Sequence, residues 1–414
     1  MTTLGCIADD FTGATDLAAA LTDAGFRTIM TIGSPTTDLS DADAIVVALK
    51  TRTAPVDEAV SQSVAAIRQL TAAGASRFYF KYCSTFDSTA TGNIGPVADA
   101  LLVETGASLG VVVPSFPANG RSVYQGTLFV HDQPLAESPM RHHPLTPMTD
   151  SNVMRLLRPQ STSPIEHIPL ATVHRPQELA DRLADVADVA APPLVVLDAI
   201  DDDDLVRIAR ALPADALLTG GAALAGALAA PNRSAPPAAL DFPVGRSLIV
   251  SGSASSATRG QVATARETLP AIRLDLPALL ADFNGEVARL LNQVTTSWAQ
   301  SELPVLVFAT AELTDLTAGE NRARDAELIE TSLAQLVVGA VEHGARRIIV
   351  AGGETSGAVT SALGVQQLEM GPTIAPGVVW TIADTIMGPR VMLALKSGNF
   401  GNPRMFLDAW ELLA

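Results

Sequence analysis

The strand-like run Arg347-Ile348-Ile349-Val350-Ala351 leads straight into Gly352-Gly353-Glu354-Thr355-Ser356-Gly357. Glycines let backbone N–H groups close on an anion, and a helix that follows adds its positive end. Thr355 and Ser356 add hydroxyl donors. Neither the spacing nor the absent lysine fits a P-loop, and a tight strand-to-helix turn uses the same residues. Two further stretches follow the same plan, Ser251-Gly252-Ser253-Ala254-Ser255-Ser256-Ala257-Thr258 and Lys396-Ser397-Gly398-Asn399-Phe400-Gly401. Three small-residue loops at one sheet edge are what a backbone-lined phosphate and ribose pocket needs, so the chain is expected to bind a nucleotide here.

A second group is charged. Asp9-Asp10 follows the apolar run 4–8, Lys50-Thr51-Arg52-Thr53 follows 44–49, and Lys81-Tyr82-Cys83-Ser84-Thr85-Phe86-Asp87 follows 77–80. One aspartate can cap the next helix, which leaves the other to orient a hydroxyl or take its proton. Gly92-Asn93-Ile94 opens a helix whose N-terminus is anion-friendly, and Ser115-Phe116-Pro117-Ala118-Asn119-Gly120-Arg121 adds another cation. The segment 129–152 reads as a long non-periodic loop, a type that is often functional, and it carries Arg141, His142 and His143. Adjacent histidines do not readily share one metal ion, so substrate or phosphate contact is favoured for this pair. Only three of the 27 basic residues are lysines, Lys50, Lys81 and Lys396, and each ends a strand-like run. The Asp201-Asp202-Asp203-Asp204 run reads as helix capping.

The whole-chain numbers limit what these groups can do. A net charge of −17 and 4% aromatics disfavour nucleic acid, which needs a basic field and stacking platforms. A small anionic substrate then needs a local basic pocket, which the second group supplies. No stretch approaches the roughly 20 apolar residues that span a bilayer, and no leader-like segment precedes the first strand. Cys6 and Cys83 read as reduced core cysteines, which points to the cytoplasm.

The elements that would carry these loops are of α/β type. Strands are expected over 4–8, 28–32, 44–49, 77–81, 110–114, 165–169, 194–197 and 216–219, with helices over 13–24, 57–73, 94–105 and 175–189. Pro231-Asn232-Arg233-Ser234-Ala235-Pro236-Pro237 reads as a linker. Strands over 247–251, 272–274, 305–309, 347–351 and 391–396 follow, with helices over 284–300, 322–343, 358–363 and 403–413. The expected organisation is an N-terminal domain over 1–230, a linker over 231–246 and a C-terminal domain over 247–414. Each domain is expected to hold a mostly parallel sheet flanked by helices, with ligands at the C-terminal strand edges.

Taken together, the chain resembles the four-carbon acid sugar kinase family over essentially its whole length. The resemblance rests on Ile7-Ala8-Asp9-Asp10-Phe11-Thr12-Gly13-Ala14, the run from Lys81 to Ser88, the run from Ser115 to Arg121, His143-Pro144-Leu145-Thr146-Pro147-Met148 and the 352–357 stretch. Asp-Asp-Phe-Thr-Gly-Ala and Phe-Asp-Ser-Thr are most similar to the 3-oxo-tetronate kinase branch. The resemblance implies an acid-sugar domain, an ATP domain and an active site in the cleft between them. It implies ATP-dependent phosphorylation of the terminal hydroxyl of a 3-oxo-tetronate. ATP contacts would fall on Ser253 or Ser255, on Gly353, Glu354, Thr355 and Ser356, and on Gly398. Mg²⁺ is expected with ATP, its protein ligands unassigned and Glu354 one candidate. Asp10, with Asp9 as the alternative, would orient or deprotonate the hydroxyl, and Lys81 would stabilise charge. Arg52, Arg121 and Arg141 would hold the substrate carboxylate, with Ser84, His142 and His143 as further contacts. A threonate or erythronate kinase, or a non-catalytic sensor of acid sugar and nucleotide, are the alternatives. A dehydrogenase is disfavoured because no GxGxxG follows a strand in the first domain. Substrate stereochemistry and homo-oligomerisation stay open.

Overall fold

A computed structural model describes residues 3–33, 42–142, 146–188, 191–230, 241–310, 322–375, 377–396, 398 and 400–413. The chain divides into two compact units, Met1–Pro236 and Pro237–Ala414.

The first unit is built on eight parallel strands. They are β1 (Thr3–Ala8), β2 (Thr28–Ile32), β3 (Ala44–Ala48), β4 (Ala75–Lys81), β5 (Gly110–Val113) and, after a small hairpin sheet, three more. The hairpin sheet comprises β6 (Arg121–Tyr124), β7 (Thr127–Val130) and β8 (Gln133–Pro134), paired antiparallel. The parallel set closes with β9 (Ile165–Ile168), β10 (Leu194–Leu197) and β11 (Leu217–Gly220). Their order is β2-β3-β1-β4-β11-β5-β10-β9. Strands such as β3 and β10 are apolar throughout and buried throughout, as a parallel sheet covered on both faces requires. Covering helices are amphipathic; Pro176–Ala187 buries Leu179, Leu183 and Val186 at helical spacing. Capping starts several of them. Asp10 caps Phe11–Asp23, and Asp201 caps Asp202–Ala211 by accepting from the Asp204 amide, as expected for the acidic run.

The second unit carries β12 (Arg246–Ser251), β13 (Ala271–Arg273), β14 (Val305–Phe308), β15 (Ala345–Ala351), β16 (Gln367–Ala375), β17 (Val378–Asp384) and β18 (Arg390–Lys396). Their order is β13-β14-β12-β15-β18-β17-β16, the first five parallel and the last two antiparallel. Long helices Phe283–Gln300 and Arg322–Glu342 lie between the strands in sequence. A core cluster packs Ile249, Ile349, Trp380, Met392 and Phe406.

Three expectations need correction. The helix after β15 spans Gly353–Ala362 rather than 358–363, so only Gly352 is a turn and the next residues form the first helical turn. The segment 129–152 is not one loop: it holds the end of β7, β8 and the 3-10 helices Leu135–Glu137 and Pro139–His142. Strands β16 and β17 are additions to the expected set; β16 contains Gly371 and Pro372, which disguise a strand pattern. Among the described residues, no helix is long and apolar enough to cross a membrane. Cys6 and Cys83 are both free.

Candidate functional site

In the first unit, β3, β1 and β4 are neighbours, so the residues that follow them meet at one edge. β1 continues to β2 on one side of the sheet and β4 continues to β5 on the other, so the boundary between β1 and β4 is a switch point, the place where α/β sheets open a crevice. Three backbone bonds lock these ends together: the Asp9 amide donates to the Lys81 carbonyl, and the Thr51 and Arg52 amides donate to the Asp9 carbonyl. Asn93, placed just before helix Ile94–Thr105, donates its side-chain amide to the carbonyls of Thr51, Arg52 and Ala54. It fixes the loop that carries Arg52.

The charges at this edge are mutually paired. Arg52 forks onto Asp9, Nε to Oδ2 at 2.9 Å and Nη2 to Oδ1 at 2.7 Å, while its Nη1 reaches Asp10 Oδ2 at 2.8 Å. Asp10 Oδ1 accepts from the Gly13 amide at 2.7 Å. The two aspartates thus divide the work. Asp9 is buried, and Asp10 keeps 30% of its side chain exposed. Burial raises the Asp9 pKa, and Arg52 opposes that rise. Gly13 is needed where it stands, because a Cβ there would lie 2.5 Å from Asp10 Oδ1 and 3.2 Å from Lys81 Nζ.

Lys81 is buried, donates to the Tyr82 carbonyl at 3.0 Å and lies 3.9 Å from Asp16 Oδ2. Asp16 is a member of this cluster that the loop motifs do not point to. Its signal in the sequence is an acid on the second turn of the helix, one turn after Gly13 and directly before the apolar run 17–21. Burial raises its pKa, while Lys81 and Arg121 pull it down. Arg121 therefore lies close enough to be felt there. Its Nε is buried with no partner among the described residues, and its Nη1 donates to the Asn119 carbonyl. Phe86, fully buried, holds a left-handed backbone (φ 52°) and packs edge-on to Tyr82. A bulky residue so placed marks strain held by its surroundings.

Other expected contacts depart from the arrangement the sequence suggests. Arg52 differs most, since all three of its side-chain nitrogens face Asp9 and Asp10 rather than an open pocket. Arg141 is exposed, donates to the Ala136 carbonyl at 3.1 Å and forms no ion pair with a described residue. Ser84 is half-buried beside Gly221. His142 ends a 3-10 helix, and His143 lies outside the described residues.

In the second unit, β12, β15 and β18 are neighbours, and their ends meet likewise. Here the groups are small and mostly uncharged. Gly352 (φ 132°) turns the chain after β15, and its amide donates to the Lys396 carbonyl. A Cβ on Gly352 would come within 2.7 Å of Thr355 Oγ1, and one on Gly252 within 2.4 Å of the same atom. Thr355 is thus clasped between the two loops. Ser255 caps helix Ser256–Ala265 by accepting from the Thr258 amide, and it donates to the Gly398 carbonyl. Ser253 Oγ accepts from the Ser255 amide at 3.2 Å. Gly398 packs so closely that an added Cβ would lie 2.6 Å from Ser253 Oγ. Gln261, which no sequence motif flags, donates from Nε2 to the carbonyls of Phe400, Gly401 and Asn402.

This edge fits an anionic ligand. The hydroxyls of Ser251 and Ser356 are buried with no partner among the described residues, although an unmet buried hydroxyl is costly. Gly353 and Glu354 are exposed in the first turn of a helix whose leading amides have no intrahelical acceptor. Among the described residues, no group of three His, Cys, Asp or Glu is placed to hold a metal ion.

Comparison with known proteins agrees with this division. A family described as a sugar-binding N-terminal domain matches residues 4–228, and one described as a nucleotide-binding C-terminal domain matches residues 248–406. The chain is 46% identical to a 3-oxo-tetronate kinase of Burkholderia multivorans, covering 99% of this chain and 97% of that protein. It is also 46% identical to a 3-oxo-tetronate kinase of Methylobacterium radiotolerans, covering 99% of each. A crystal structure from Salmonella typhimurium LT2 superposes with a TM-score of 0.91 at 41% identity, covering 99% of each chain. One from Haemophilus influenzae gives 0.85 at 38% identity, covering 99% of this chain and 100% of that one. The chain belongs to the four-carbon acid sugar kinase family, in the branch of the 3-oxo-tetronate kinases.

Proposed function

We propose that this protein is an ATP-dependent kinase that phosphorylates the terminal hydroxyl of a 3-oxo-tetronate to give the 4-phosphate. The observation that carries this reading is the full-length identity to relatives named 3-oxo-tetronate kinase. The site chemistry supports it. The charged edge of the sugar-binding domain suits a small acid, and the hydroxyl-rich edge of the nucleotide-binding domain suits phosphates.

In the proposed reaction the substrate's terminal oxygen attacks the γ-phosphorus, and the bond from that phosphorus to the β,γ-bridging oxygen breaks. ADP leaves, and the hydroxyl proton passes to a carboxylate. Asp10 is assigned that carboxylate, because it is the partly exposed member of the pair. Asp9 holds Arg52, and Arg52 in turn holds Asp10 Oδ2 in place. Arg121, whose Nε has no partner among the described residues, and Lys81 are assigned to the substrate's carboxylate and to developing charge, with Ser84 beside them. On the nucleotide side, Ser253, Ser255, Gly353, Glu354, Thr355, Ser356 and Gly398 are assigned to ATP. Mg²⁺ enters with ATP as part of that substrate.

The test is ADP release with 3-oxo-tetronate, threonate and erythronate of each configuration as acceptors. The expected result is turnover that depends on acceptor and is fastest with a 3-oxo-tetronate. Faster turnover with a hydroxy acid would move the chain to a threonate or erythronate kinase. No acceptor-dependent ADP release from any of them would reject the kinase reading. Asp10→Asn is expected to lower kcat about 10²-fold while ATP still binds.

A further inference from the structure

Lys396 ends β18 and is 1% exposed. Its Nζ donates to Thr258 Oγ1 at 2.7 Å and to the Gly398 carbonyl at 3.1 Å, and it sits 6.0 Å from the centre of the Phe406 ring. All of these partners are neutral, and no carboxylate among the described residues pairs with it. The other buried lysine, Lys81, has Asp16 beside it. A buried ammonium without a counter-ion is disfavoured, and burial alone brings the Lys396 pKa down to about 8. Methionine would fill similar space without that penalty.

The surroundings show what the charge is for. Gly398 is the residue that Ser253 and Ser255 abut, and its carbonyl accepts from Ser255, Thr258 and Lys396 together. That grip turns a negative dipole end toward the ammonium and ties the Ser255 and Thr258 hydroxyls to the same carbonyl. The positive charge thus lies directly under the residues that fit a phosphate.

We infer that Lys396 is the built-in counter-charge of the nucleotide's phosphates, acting from beneath the β12, β15 and β18 ends and holding Gly398 and Thr258 in place as a positioning residue. The inference rests on the proposed nucleotide site and adds a member to it. It implies that the missing anion is supplied by the ligand, so the lysine lowers the stability of the free protein and raises affinity only for phosphorylated ligands.

The test is binding of adenosine, AMP, ADP and ATP to the wild type and to Lys396→Met, together with the melting temperature of each free protein. Expected is a loss that grows with phosphate number, from none for adenosine to about 10- to 10²-fold for ATP. The melting temperature of the free variant is expected to stay level or rise by up to about 4 °C. Lys396→Gln, also neutral but able to hydrogen-bond, is expected to show the same graded loss and serves if the methionine variant does not fold. ATP affinity equal to wild type in either variant overturns the inference. So does an equal loss for adenosine and ATP with a lowered melting temperature, which marks a purely structural lysine. Failure of the wild type to bind ATP at all rejects the nucleotide reading instead.

Discussion

The two strand-edge clusters are built from opposite materials. At the edge of the first unit, Arg52 pairs with both Asp9 and Asp10 and Lys81 lies beside Asp16, and Arg52 has no side-chain nitrogen left facing away from its partners. At the edge of the second unit, one ammonium stands among hydroxyls, glycines and carbonyls, with no acid beside it among the described residues. A self-paired network specifies geometry whether or not a ligand is present. An unpaired charge is completed only by a ligand. The first edge can therefore select a substrate by shape and hydrogen bonding, and the second can bind a polyanion by its charge.

The largest expected effect comes from breaking the paired side. Asp9→Ala leaves a half-buried guanidinium with Asp10 as its remaining anion, and should cost about 3 kcal/mol in chemical unfolding of the first unit. A loss below about 1 kcal/mol would show that the network is not what holds this edge. Next is Gly352→Ala, which forces a side chain into φ 132° and against Thr355 Oγ1. It should lower stability by about 1–3 kcal/mol and weaken ATP binding, both measurable by thermal shift with and without ATP.

Ser356→Ala separates the clusters more finely. Its hydroxyl has no partner among the described residues, so stability should change by less than about 0.5 kcal/mol, while ATP affinity in calorimetry falls roughly 10-fold. A clear loss of stability without ATP would mean that the hydroxyl already has a structural partner. The smallest effect concerns pH. Folded Lys396 loses its proton near pH 8 and the unfolded chain near 10.5, so between these values the unfolded state binds more protons. Stability from this group therefore rises with pH across that window. The melting-temperature difference between Lys396→Met and wild type should shrink from pH 8 to pH 10.

Much of this contrast is legible in the amino-acid sequence. The strand ends that place Asp9, Arg52, Lys81, Ser251, Gly352 and Lys396 can be read because buried parallel strands are short apolar runs. Pairing cannot. Nothing in the spacing of Asp9 and Arg52 shows that the guanidinium folds back onto both aspartates, since that depends on β1 and β3 being neighbours. Asp16 gives little signal because it sits inside a helix, away from the loop motifs. Asn93 reads as a helix start, while its grip on three carbonyls of a distant loop is a tertiary fact. Gln261 leaves no local signal of any kind, for the same reason.

Gln261 has a consequence of its own for what mutation can reach. Its Nε2 serves three consecutive carbonyls, while its Oε1 is buried with no partner among the described residues. Glutamate has nearly the same shape and lies one codon letter away, yet it would set an oxygen anion against three oxygen dipoles. The segment from Phe400 to Asn402 is thus guarded less by the size of position 261 than by the identity of a single atom. For this chain's relatives, position 261 is a place where the most conservative exchange by shape should be among the least tolerated.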